Sequence, residues 1–160
     1  MADETQIDYT GAVYGSLLAA SVVAGTSPGQ NPPSGLVTGV LLLATGLVFW
    51  IAHVYSGLVG ERRHRTRLSW AQARTVGARE RPLLQAALPP AVAAVTAWAL
   101  GLSGSTSAWL ALATALTAQV AWAALAAVKA RESTGIVVVA AVGNLVIGLI
   151  LVLLKVLLTH

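Results

Sequence analysis

An all-α bundle of membrane-spanning helices is the fold class this sequence predicts, and three observations predict it. Hydrophobic residues make up 56% of the chain and charged residues only 10%, against roughly a quarter charged in soluble domains. The apolar residues fall in runs of about 20, the length that crosses about 30 Å of hydrocarbon at 1.5 Å per residue. Between the runs lies one polar island, Glu61 to Pro82, which holds seven of the eight arginines. Five runs qualify as spans, at 9–26, 35–59, 82–101, 108–128 and 135–158, in a single integral membrane domain with a basic loop at 60–81. A four-span bundle, in which the first run does not cross, is the rival.

The first run is rich in small residues. Gly11 and Gly15 form a GxxxG, and Ala20, Ala24, Ser21 and Gly25 repeat its spacing. Such a stripe lets a second helix approach closely where lipid offers no hydrophobic drive. The segment before it, MADETQID, has no Lys or Arg, so the positive n-region of a secretory signal is missing and a retained helix is expected. Pro28, Pro32 and Pro33 then make an uncharged loop.

The second run opens with Gly35 and Gly39, a further packing pair, and sets Gly46, Trp50, His53, Gly57 and Gly60 on one face. Inside the basic loop, LSWAQARTVGA is expected to form a short interfacial helix anchored by Leu68, Trp70 and Val76. Pro82 suits the start of the third span, whereas Pro89 and Pro90 lie within it and predict a kink. Residues 102–107, LSGSTS, read as a turn. Trp109 and Trp122 near the ends of the fourth span suit interfacial belts. Lys155 and His160, at the end of the fifth, are expected to reach toward headgroups.

Positive charge resists translocation, so the arginine loop belongs on the cytoplasmic side. Five spans then put the N-terminus inside, the C-terminus outside, and nine of the ten Lys and Arg residues in cytoplasmic loops. The expected location is a cytoplasmic membrane. The excess of Ala, and of Arg over Lys, suggests a GC-rich bacterial genome. Membrane lipid is the expected partner of Arg62, Arg63, Arg65, Arg67, Trp70 and Arg74, and no nucleic acid is expected, because the arginines cluster at a membrane boundary without any nucleic-acid motif.

Polar groups inside spans are the natural functional candidates, because each costs free energy unless paired or hydrated. Gln119 and Asn144 fall at similar depth on consecutive antiparallel helices; they suit either a hydrogen bond that glues the pair or the lining of a polar conduit. His53, with Tyr55, Glu61 and His64 nearby, could anchor a helix end or sense protons. Asp8 caps the first helix or lines its entrance with Tyr14, and Thr45 joins the conduit candidates. The chain has no cysteine and no HExxH, GxSxG or phosphate-binding glycine loop. No catalytic residue, metal or cofactor is therefore expected. The sequence points to an oligomeric ion channel or small-solute transport protein, with Asp8, Tyr14, Thr45, His53, Gln119 and Asn144 as conduit or gating candidates. The alternative is a non-catalytic accessory or scaffold subunit that binds a partner membrane protein's helix and anionic lipid.

Overall fold

The computed structural model describes residues 9–26, 31–61 and 70–159, and every regular element among them is helical. They are α1 (Tyr9–Thr26), α2 (Gly35–Glu61), α3 (Trp70–Arg79), α4 (Arg81–Gln85), α5 (Leu88–Ala99), α6 (Gly104–Lys129) and α7 (Thr134–Thr159). Four stretches are long and apolar enough to cross a membrane: Gly35–Gly60, Arg81–Ala99, Gly104–Lys129 and Thr134–Leu157. The chain is thus a multi-pass membrane protein. Helix α1 has the bounds the sequence predicts, but its Tyr, Thr, Gly and Ser residues keep it out of that apolar set.

Helix α1 occupies the centre instead, packed against α2, α4, α6 and α7. Seven of its 18 residues are buried: Ala12, Gly15, Ser16, Ala19, Ala20, Val23 and Ala24. The central cluster joins Ala19, Ala20 and Val23 to Leu42, Ala91, Ala94, Ala108, Ala111, Leu112 and Ala115. Most of these are alanines, so the helices meet through short side chains and gain dispersion contacts from closeness rather than bulk. At Gly15 an added Cβ would lie 2.5 Å from the Leu83 carbonyl oxygen and 2.9 Å from the Ala86 Cβ, and at Gly11 it would meet Leu83 and Pro82 at ordinary contact distance. The GxxxG of α1 therefore faces α4. Gly35 sits against the Ala94 carbonyl and Ser107, and Gly39 against Val95 and Ala91.

The segment from α3 to α5 runs antiparallel to α2. Gly57 faces Val76, the Trp50 Nε1–H donates to the Gly77 carbonyl at 3.1 Å, Gly46 faces Ala87, and Gly39 faces Ala91. The predicted interfacial helix is thus α3, held by Val76 and Gly77; Trp70 anchors nothing in the protein and is 81% exposed. The kink of the third span lies earlier than expected. The helix breaks at Ala86–Ala87, and Pro89 and Pro90 stand in the first turn of α5. There a missing N–H leaves no helical carbonyl of α5 without its donor.

The turn expected at 102–107 is shorter. Ser103 caps α6 by accepting the Thr106 N–H at 3.1 Å, so the helix starts at Gly104. Helices α5 and α6 both end in a left-handed residue. At Gly101 (φ 74°) the N–H groups of Gly101 and Leu102 donate to the Trp98 and Ala97 carbonyls, and at Arg131 (φ 55°) those of Arg131 and Glu132 donate to the Val128 and Ala127 carbonyls. Helix α7 lies at the edge against α6 and α1, with most of its large apolar side chains turned outward.

Two substitutions test this packing. Gly15→Val should lower the thermal midpoint of the detergent-solubilised protein, at a cost of about 1–3 kcal/mol. Gly25→Val, where a Cβ meets nothing within 4 Å, should leave it within experimental error. Arg131→Gly should raise stability by about 1 kcal/mol, because the left-handed backbone strains a residue with a Cβ; chemical denaturation in micelles measures it.

Candidate functional site

The polar side chains of the membrane interior fall into three groups, each set by helix register. The first lies where α6 meets α7. Gln119 is fully buried, and its Nε2 donates to both the side-chain Oδ1 and the backbone oxygen of Asn144, each at 3.1 Å. Asn144 Nδ2 donates back to the Ala140 carbonyl at 2.9 Å. The amide nitrogens of both residues are thus bonded within the protein. The Gln119 Oε1 is buried without a partner, as is the Thr38 Oγ1 near the opposite end of the bundle.

The second group is at the seam between α1 and α2, where Tyr14 and His53 meet with ring centroids 5.5 Å apart. His53 is one turn beyond Phe49, whose carbonyl lies 3.1 Å from Nδ1. A carbonyl can only accept, so Nδ1 carries the hydrogen and Nε2 is left for other work. Tyr14 is 41% exposed on the outer surface of the bundle. Thr45, two turns from His53 along α2, lines a groove with Leu18, Val22, Leu42 and Gly46, backed by Leu83 and Ala87. The space among these residues is about 230 Å³ with its open exterior included, and only about 10 Å³ of it is deep enough to take a water.

The third group corrects a sequence expectation. Lys155 does not reach outward from α7; it is 3% exposed, with Nζ 5.4 Å from the centre of the Trp109 ring on α6. An aromatic face stabilises a cation best where water is scarce, and the adjacent turn of α7, Leu151 and Val152, packs on the central cluster. At the other end of the bundle Lys129 lies 5.7 Å over the Tyr9 ring, which also meets Trp122 at 6.0 Å. Asn144, Gly148, Leu151 and Lys155 share one face of α7 at spacings of three and four, so the sequence did hold a mark of the inward side, although a lysine near a helix end reads as a snorkelling one. The Tyr14–His53 meeting was hidden, since it depends on the α1–α2 register.

The remaining candidates lie apart. Arg74 is exposed on α3, one turn from Trp70 and on the same face, while Tyr55 is 68% exposed and away from His53. Asp8, Arg62, Arg63, His64, Arg65, Arg67, Leu68 and His160 lie outside the described residues, as does the Glu61 side chain. Among the described residues no three His, Asp or Glu side chains converge on a point that could hold a metal ion.

The α6–α7 pair can be measured by a double-mutant cycle. Gln119→Leu and Asn144→Leu, alone and together, should give a coupling of about 0.6–1.7 kcal/mol in unfolding from micelles; additive effects would mean that the bond contributes nothing. No protein-family model matches this chain, and neither does any curated protein or solved structure with which it was compared.

Proposed function

We propose that the chain is a non-catalytic accessory or scaffold subunit of a bacterial cytoplasmic membrane, with five spans, the N-terminus inside and the C-terminus outside. The observation that carries this reading is the closed interior. The amides that could have lined a conduit bond to each other, and the Gly11–Gly15 pair of α1 is covered by α4. Conduction needs binding sites that an ion can enter and leave, and groups committed to holding helices together do not supply them. The basic loop at 60–81 supports the cytoplasmic assignment of that end, and Lys129 and Arg131 belong to the same side.

The apolar outer faces of α2 and α7, which carry Val40, Leu47, Val48, Ile51, Val139 and Ile150 among their exposed residues, suit lipid or a partner's helix. A second reading, an oligomeric channel or small-solute transporter, draws support from one observation. The titratable pair Tyr14–His53 faces outward, where a path between protomers would run.

Purified protein in liposomes separates the two. The accessory reading expects no flux of monovalent or divalent ions or of protons, together with a stoichiometric foreign partner after crosslinking in the native membrane. A closed homo-oligomer with ion flux that is lost in His53→Leu would establish the channel instead.

A further inference from the structure

We infer that the α1–α2 seam is a binding site for one anionic phospholipid with a hydroxylated headgroup. The head sits at Tyr14 and His53, and one acyl chain lies along the groove toward the bilayer centre. This rests on the reading that α1 crosses the membrane with the arginine loop inside.

The seam is built from two stripes at one-turn spacing, Tyr14–Leu18–Val22 on α1 and Thr45–Phe49–His53 on α2, running antiparallel. Tyr14 meets His53 at one end, while Val22 and Thr45 line the same groove at the other. Eight residues separate Tyr14 from Val22, about 12 Å along the axis. Tyr14 is five residues from the start of α1 and His53 eight from the end of α2. The polar end therefore lies near the inner surface, and the apolar end reaches toward the bilayer core.

Elsewhere in the bundle, hydroxyls donate back to their own helix: Ser16 to Ala12, Ser21 to Leu17, Thr114 to Leu110, Thr117 to Ala113. Tyr14 cannot do so, because its hydroxyl stands at the far edge of the ring. Among the described residues neither that hydroxyl nor His53 Nε2 has a hydrogen-bond partner. At the boundary between headgroups and hydrocarbon such atoms bond to water or to a lipid headgroup, and a headgroup can meet both at once.

The chemistry of the pair selects the headgroup. The Tyr14 hydroxyl can donate to a phosphate oxygen, and with Nδ1 bonded to the Phe49 carbonyl the His53 Nε2 can meet a headgroup hydroxyl. A choline head has no such donor. Helix α2 then runs directly into the segment that contains Arg62, Arg63, Arg65 and Arg67, which favours a negative lipid. The shallow groove, open along its side, suits a chain entering laterally from the bilayer rather than a solute entering from water.

The test is native mass spectrometry of the full chain released from nanodiscs containing equal parts of phosphatidylglycerol and phosphatidylcholine. Wild-type protein should retain phosphatidylglycerol over phosphatidylcholine, and Tyr14→Phe and His53→Phe should each reduce that preference about fivefold, the effect of one ordinary lost hydrogen bond. Both keep a ring at the seam, and circular dichroism confirms their fold. Thr45→Phe, which fills the groove, should reduce retention without touching the polar end. Equal retention of the two lipids by wild type overturns the inference. So does a preference that survives all three changes but is lost when the four loop arginines become Gln, which would place the lipid on the loop alone. Retention on the single chain is read independently of flux and of crosslinked partners, so it can fail while the accessory reading stands. Accessibility tags near Arg65 test the threading separately.

Discussion

The close approach of α1 to its neighbours is the constraint on which the rest of the molecule depends. In water, a helix this rich in Ala, Gly and Ser would be a poor core element, because it offers little apolar area to bury. In a bilayer that disadvantage disappears, since lipid chains compete equally for apolar surface and association follows from contact density. Gly15 brings the α1 backbone within reach of the Leu83 carbonyl. Ala12, Ala19, Ala20 and Val23 do the same work toward the rest of the bundle with side chains of one to three carbons. Few large side chains, Leu42 and Leu112 among them, enter the centre, and most are found outside, many of them on α2 and α7.

A centre of this kind limits where polarity can be placed. Ser16 and Ser107 are fully buried, yet each hydroxyl returns to a carbonyl of its own helix and demands nothing from its neighbours. Gln119 is too long for that and needs a partner on another helix, which Asn144 provides. Lys155 carries the largest desolvation cost, and it is placed at the end of α7, beside an aromatic face rather than in mid-bilayer. Most of these polar groups take the shortest route by which they can be satisfied, whereas Gln119 Oε1 and Thr38 Oγ1 stay buried without a partner. Tyr14 and His53 meet at the perimeter of the bundle.

How much of this was legible in the sequence depends on whether a feature is axial or radial. Axial position follows from residue counting. The bounds of α1 and the ends of α7 fall within a residue of those read from hydropathy, and equal depth sets Gln119 opposite Asn144, where the hydrogen bond is found. Proline misled by two residues at the third span, because the chain uses Pro89 and Pro90 to begin a helix and breaks just before them. Radial direction is another matter. On α7 the face of Asn144 and Gly148 continues to Lys155 three turns on, but a lysine near a helix end reads as a snorkelling one, and that rule hid its inward direction. The α1–α2 register that joins Tyr14 to His53 depends on loops whose length does not fix the relative rotation of the helices.

The uneven packing around α1 connects fold to function. Its contact with α6 is more extensive than its contact with α2, although α1 and α2 are consecutive in the chain and would be expected to pair most tightly. The difference lies in the side chains. Toward α6 and α4, α1 presents Gly and Ala, and the backbones close. Toward α2 it presents Tyr14, which meets His53, and Leu18 and Val22, which line a groove with Leu42, Thr45 and Gly46 of α2. Had the seam served only stability, small residues on this face would have closed it as they close the others. A side of the central helix that stays open to the bilayer, with its polar atoms gathered at one end, is where this otherwise sealed bundle meets its surroundings.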